Sequence, residues 1–251
     1  IGSGQKNVIS GGRYNIIDSP TNPVGNTIGG GENNKCYGNH NVISGGINNT
    51  SGSSLVTTAI VSIGGGQDNL GTGAGASISG GRENQASGIY SSIPGGRGNR
   101  ATSADTEATG SESLASRSSE RAHSSGKAVN VGDRQYSDQH VSGSSLSSST
   151  VNLKTKSTSE KPKIRAGTAL IRCFVVGRSS AGFSYAAKVE ALFNATSRLG
   201  SSTVTEIGTG NLTNPVVDLT YSGSGSDLNL TCGADEAVEW SAKVEYVEVL
   251  P

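Results

Sequence analysis

The residue types able to do chemistry are few in this chain and stand far apart. Its three histidines, His40, His123 and His140, lie in unrelated polar surroundings. The three cysteines, Cys36, Cys173 and Cys232, form no CxxC pair and have no histidine at ligand spacing, which argues against a zinc knuckle or a disulfide framework and predicts buried free thiols. No GxSxG elbow, P-loop, full GxGxxG or HExxH occurs, so acyl or phosphoryl transfer has no visible machinery and neither a cofactor nor a metal is expected. Two acidic groups remain, Asp105 with Glu107 and Glu112, and Asp235 with Glu236 and Glu239. Either could supply the carboxylate pair, roughly 5 to 10 Å apart, that hydrolyses a glycosidic bond. Acidic residues in polar segments are usually solvated and aromatics for sugar stacking are scarce, so the expectation is a chain that is not an enzyme.

What elements could position any of these groups? With 37 glycines, one tryptophan and 4% aromatics, one deep core cannot be filled, which leaves disorder or a thin repetitive architecture. Lysine plus arginine and aspartate plus glutamate tie at 20 each, and no basic stripe emerges. The one cluster, Lys154, Lys156, Lys161, Lys163 and Arg165, lacks interleaved aromatics and reads as a solvated face, so no nucleic-acid partner is expected. No apolar run approaches the roughly 20 residues of a spanning helix and no signal peptide opens the chain, so membrane insertion is not expected either. The chain opens inside a repeat without Met, from which a preceding N-terminal portion is expected.

Six related octamers decide for the repetitive architecture: VISGGRYN at 8–15, TIGGGENN at 27–34, VISGGINN at 42–49, SIGGGQDN at 62–69, SISGGREN at 77–84 and SIPGGRGN at 92–99. Their isoleucines, Ile9, Ile28, Ile43, Ile63, Ile78 and Ile93, are separated by 19, 15, 20, 15 and 15 residues. The unit is therefore 15 residues, with insertions in the two long steps. The glycine pair supplies positive φ at a tight corner. The asparagine that follows tolerates left-handed backbone and can bond along the stack. One large apolar residue per coil predicts burial around a shared axis, three isoleucines to a layer, hence a homotrimer with these six residues as its axial core. Past Ile93 the pattern weakens to Ala108, Ala115 and Ala122, which reads as continued, slimmer coils with a Ser-rich linker over 101–130 as the alternative.

From about residue 150 the period changes to two. VNLKTKS, TALIRCFVVGR, FSYAAKVEALFNA, STVTEIG, PVVDLTY, DLNLTCG and AVEWSAKVEYVEVL give seven strands between Gly, Asn, Ser and Pro breaks, a β-sandwich or jelly roll. Trp240 falls on the apolar stripe of the last strand, so core is favoured over a sugar platform. The fold expected is all-β: a trimeric β-solenoid, β-helix- or β-prism-like shaft over 1–131, then a C-terminal β-sandwich domain over 132–251. Varied loops on a rigid scaffold are where specificity sits. The candidate receptor residues are therefore Arg178 and Ser179, Ser201 and Ser202, and Ser222 and Ser224.

The motif xISGGxxNxAxGxxS resembles the head repeats of trimeric autotransporter adhesins of the YadA type, and equally the repeat shafts of bacteriophage tail fibres, over about residues 1–130. No heptad stalk or anchor of alternating strands follows it. Instead GDRQYSDQHVSG (132–143), IRCFVVGR and the final strand look like the terminal domains of phage tail and virion structural proteins. The resemblance implies a homotrimeric virion fibre or spike attaching to a host surface glycan or protein, located on the tail or capsid, with other virion proteins on the side of residue 1. The alternatives are a purely structural spike or decoration protein, a bacterial cell-surface adhesin, and a polysaccharide-cleaving tailspike.

Overall fold

The computed structural model describes residues 6–18, 24–53, 60–127, 130–132, 134–155, 161, 163, 168–194, 198–207, 210–221 and 227–249. They are all strand, turn or irregular, and none forms a helix long and apolar enough to cross a membrane. Two compact units result, one of residues 1–116 with 121–132 and one of 117–120 with 133–251.

The first unit is a parallel β-solenoid of about seven turns, its short strands running from β1 (Val8–Ile9) to β15 (Glu120–Ser125). One column stacks Ile9, Ile28, Ile43, Ile63, Ile78 and Ile93 in register. A second column stacks Ile17, Cys36, Ser51, Gly71, Ala86, Ala101 and Ala115. A corner column runs Arg13, Glu32, Ile47, Gln67, Arg82 and Arg97. Large side chains on one wall and small ones on the other fill a narrow interior, so Ile28, Ile43, Ile63, Ile78 and Ile93 are each at most 1% exposed within a single chain. Only Ile9, in the outermost coil, is partly buried. This corrects the premise that one chain cannot bury them: the six isoleucines are packed inside their own coil, and no axis shared between chains is needed to cover them. Ala108 and Ala122 continue the isoleucine column in register, so coils persist to residue 125. The two insertions fall largely on residues 19–23 and 54–59, outside the described residues.

At the corner, the second glycine of each pair is required by contact as well as by φ. Gly46 has φ +92, and a Cβ there would stand 2.1 Å from the Gly66 carbonyl oxygen of the next coil. The asparagine role splits over two positions. The residue two after the pair takes positive φ whatever its type, as at Tyr14, Asn33, Asn48, Asp68 and Glu83. The next residue, Asn15, Asn34, Asn49, Asn69, Asn84 or Asn99, makes the bonds along the stack. Each Oδ1 accepts the backbone N–H of its successor, as Asn69 does from Asn84 at 3.1 Å. Each Nδ2 donates to a glycine carbonyl of its own coil and to one of the next, as Asn84 does to Gly80 at 3.0 Å and Gly96 at 2.9 Å. The carbonyl of the first glycine of each pair thereby gains a donor, and the next-coil carbonyl, which already accepts a backbone N–H, as Gly81 does from Gln67 at 3.0 Å, gains a second.

In the second unit, β16 (Arg134–Ser145), β18 (Thr168–Ser179), β19 (Ser184–Asn194), β20 (Arg198–Glu206) and β23 (Val238–Val249) form an antiparallel sheet in the order β16-β23-β18-β19-β20. A smaller sheet has the order β17-β22-β21, from β17 (Ser149–Asn152), β21 (Val216–Tyr221) and β22 (Leu228–Ala234). One buried cluster joins their inner faces, including Ile171, Val189, Phe193, Leu219, Leu230, Trp240 and Val244. Cys173 and Cys232 lie in it as free buried thiols, and Cys36 is free and buried in the solenoid. Strand β16 went unread in the sequence because its inward residues are polar: Gln135, Ser137 and Gln139 are all buried.

Candidate functional site

Alternation along the strands of the larger sheet sends one residue in two outward. Near one end of that outward side these residues enclose a groove of about 640 Å³. Val176, Ala186 and Ile207 give it an apolar lining, with Val176 54% and Ile207 50% exposed. Arg178, Glu239, Ser142, Ser184 and Ser241 supply its polar groups. The Ile207 N–H donates to the Ala186 carbonyl at 2.8 Å, holding that side chain beside β19. Arg178 and Glu239 are cross-strand partners, and Ser144 Oγ donates to Glu239 Oε1 at 2.7 Å, which orients the carboxylate.

Rigidity beneath the groove comes from one glycine and one indole. A Cβ on Gly177 would lie 2.5 Å from the Trp240 ring, so the absent side chain is what lets the indole lie across β18. Trp240 meets Tyr185 edge-on at 6.3 Å and 75°, and its Nε1–H donates to Ser145 Oγ at 2.9 Å. Both rings are buried, so they support the groove instead of lining it with an open aromatic face.

Of the six candidate receptor residues, the structure brings only Arg178 to the groove as an exposed side chain. Ser179 is buried as the last residue of β18, where its Oγ accepts the Phe183 N–H at 3.1 Å. Residues 199–203, expected as a loop, belong to strand β20, and Ser202 Oγ donates to Asp218 Oδ1 at 2.8 Å. Ser222 and Ser224, and the side chain of Ser201, lie outside the described residues. The acidic groups are dispersed among separate partners. Glu112 faces Lys127 at 3.5 Å, Asp235 accepts from Asn214 at 2.7 Å, and Glu236 accepts from Thr213 Oγ1 at 2.9 Å. Burial acts to raise the Glu236 carboxyl, but the bonds from Thr213 outweigh it and leave the group below its ordinary value. Among the described residues no group of three or more His, Cys, Asp or Glu could hold a metal.

Beyond the groove the outward side is banded. An apolar row crosses all five strands as Tyr136, Val247, Leu170, Leu192 and Leu199. Next comes Asp138, Glu245, Arg172 and Glu190, then His140, Lys243, Phe174 and Lys188. Ion pairs join the two charged rows: Lys243 to Glu245 at 2.9 Å, Lys188 to Glu190 at 2.9 Å, and, within its row, Arg172 to Glu190 at 2.7 Å. The hydrogen bonds from Lys188 and Arg172 hold the Glu190 carboxyl below its usual range. The bond that Lys243 donates to Glu245 raises the Lys243 pKa. The signal for this side was present in TALIRCFVVGR, a run apolar at both parities where a strand with one solvated face would alternate.

No family model matches the chain, and no curated relative does. Among solved structures, 94% of this chain aligns with 44% of the tailspike protein gp49 of Acinetobacter baumannii bacteriophage Fri1, a capsular polysaccharide depolymerase, at 9% identity and a TM-score of 0.31. Likewise 95% aligns with 53% of the tailspike protein of Acinetobacter phage vB_ApiP_P1, at 11% identity and a TM-score of 0.29. The chain thus spans about half the length of each. The expectation of a chain that is not an enzyme is corrected by the first of these, a depolymerase, and is not kept. Likeness at such scores does not itself assign this chain a fold, an activity or a target.

Proposed function

We propose that the chain is one protomer of a homotrimeric fibre or spike of a phage virion, in which the solenoid supplies reach and the second unit, a β-sandwich, contacts a polysaccharide or protein of the host surface. One observation carries the reading: the two units differ in surface chemistry. The solenoid sets out single corner side chains one to a coil, Arg13, Glu32, Ile47, Gln67, Arg82 and Arg97, whereas the second unit gathers an apolar lining, a cation, an oriented carboxylate and three serines into one groove. Such a lining suits a ligand with an apolar face and many hydroxyls. Three grooves on one particle add avidity, so each can bind weakly.

The test uses the full chain against a panel of immobilised bacterial surface polysaccharides and outer-membrane protein extracts, with Val176→Asp and Arg178→Glu compared with the parent protein. The expected result is binding to a subset of the panel, weakened about tenfold or more by either change, as the loss of one buried contact implies. Absence of binding to every surface, or binding indifferent to both changes, overturns the assignment of the groove. The same panel, assayed for newly formed reducing ends, reads whether binding is accompanied by cleavage.

A further inference from the structure

We infer that the groove of the second unit selects an acidic glycan, a polysaccharide whose sugars carry a carboxylate, and that Arg178 is the residue that reads this charge. This rests on the groove reading above and adds to it the class of ligand.

The groove is laid out in two rows across the sheet. Ser142, Ser241, Val176 and Ala186 are neighbours in register across β16, β23, β18 and β19, with Ile207 beyond them. The next outward row is Ser144, Glu239, Arg178 and Ser184. Glu239 stands directly across from Arg178 and is placed to neutralise it. Ser144, however, donates to Glu239 Oε1 at 2.7 Å from the opposite side, and no ion pair closes between the two. The Arg178 guanidinium has no hydrogen-bond or ion-pair partner among the described residues. Further along the same side the cations are engaged: Arg172 meets Glu190 at 2.7 Å, Lys188 meets Glu190 at 2.9 Å and Lys243 meets Glu245 at 2.9 Å. The cation that its own sheet leaves open is the one in the groove.

A guanidinium donates and never accepts, so only an acceptor satisfies it, and a planar carboxylate takes two parallel bonds from its fork. The hydroxyls of Ser142, Ser184 and Ser241 also have no partner among the described residues and are free to donate. Against these donors the groove sets one carboxylate, half engaged by Ser144. Glu239 also narrows the kind of anion. It lies one strand spacing from Arg178, about 4.8 Å between backbones, so it opposes a singly charged carboxylate less than a phosphate monoester near −2. Its Oε2 has no partner among the described residues and can accept a hydroxyl of the same sugar. The apolar face of the ring rests on Val176 and Ile207. A sugar with a carboxylate beside its hydroxyls meets all three parts, whereas a neutral glycan would cover the guanidinium without an acceptor, which weakens binding.

The experiment takes the polymers of the panel that the full chain binds and reduces their carboxylates to hydroxymethyl groups with carbodiimide and borohydride, leaving the sugar backbone intact. Binding of the parent, Arg178→Gln and Val176→Asp is then measured to both forms. The expected result is that the bound polymers carry carboxylates and that their reduction weakens the parent about tenfold or more, as the loss of a charged hydrogen-bonded contact implies. Arg178→Gln should be weakened as much on the native polymer and should no longer distinguish the two forms. The reduced polymer tests the charge without touching the protein, so the outcome is readable even where a variant misfolds. Binding confined to neutral polymers, phosphate-bearing polymers or the protein extracts overturns this inference. So does a parent indifferent to the reduction, or an Arg178→Gln that keeps the full preference for the acidic form. Where Val176→Asp still weakens binding in those cases, the groove reading stands. Absence of binding to the whole panel overturns both.

Discussion

Asn69 shows how much one side chain can carry when every coil repeats it. Its Nδ2 donates to Gly65 and Gly81, and its Oδ1 accepts the Asn84 N–H, all out of water. Asn69→Asp keeps the acceptor but turns a carboxylate toward two carbonyl oxygens and takes the donor from that of Gly65, while that of Gly81 keeps the Gln67 N–H, so a loss of about 1–3 kcal/mol for the orphaned carbonyl, increased by the buried charge, is expected; urea denaturation measures it. Ile78→Ala is expected to cost about 2–5 kcal/mol by the same measurement, because the facing wall is too small to close the void. That loss should be as large in a monomer as in any assembly, since Ile78 is buried by its own chain. These residues were legible from spacing alone: the 15-residue step fixed which side chains stack and which glycines turn. Direction was not legible. Periodicity shows that Ile28 to Ile93 share an interior, but whether one chain or three enclose it depends on the small residues Cys36, Ser51, Gly71 and Ala86 of the opposite wall, which keep the same step but change type from coil to coil and so do not announce a wall.

Strand β16 is the element that sequence periodicity missed, and the reason is electrostatic. The Tyr246 hydroxyl donates to Gln139 Oε1 at 2.6 Å, and Gln139 Nε2 donates to the Ser118 carbonyl at 2.7 Å. Arg117 donates to Glu120 at 2.7 Å, to Ser137 Oγ at 3.2 Å and to Glu248, and lies 4.0 Å over the Tyr246 ring. An inward surface shaped to meet a guanidinium and two carboxylates reads as a polar loop. Burial alone would lower the Arg117 pKa, but Glu120 and Glu248 more than offset it and leave it raised. Arg117→Met leaves both carboxylates buried without their counter-ion, so a loss of about 3–5 kcal/mol is expected. The addition of Glu120→Gln and Glu248→Gln should restore part of it. Chemical denaturation of the three proteins decides: if the single and triple variants are equally unstable, the cluster is not held by charge.

For the molecule as a whole, pH and thiol chemistry report on the same burial. Glu190, Glu236 and Glu245 are held below the ordinary carboxylate value, Glu245 against burial by its bonds from Lys243 and Tyr136. A carboxyl with a lowered folded pKa contributes stability that is full above its unfolded value of ~4.3 and is lost as pH falls through the folded one. The melting temperature of the second unit should therefore be flat from about pH 6 to 5 and decline below about pH 4.5. Burial pushes the Cys36 thiol up to about 11 and Cys232 up to about 12. Native protein at pH 8 should therefore leave both unmodified by iodoacetamide, while denatured protein is alkylated at all three cysteines.

The stacking of the solenoid also determines how such a shaft can change in length. Between Leu70 and Arg100 every coil repeats the same 15-residue register, closes its own interior and passes the same asparagine bond to the next. Duplication or deletion of fifteen codons there meets an identical neighbour on either side. It shifts the reach of the protein by one strand spacing, about 4.8 Å, with no new core to invent. Inheritance can therefore adjust this part like beads on a cord, through recombination between its own repeats, while the groove-bearing unit diversifies by ordinary point substitution.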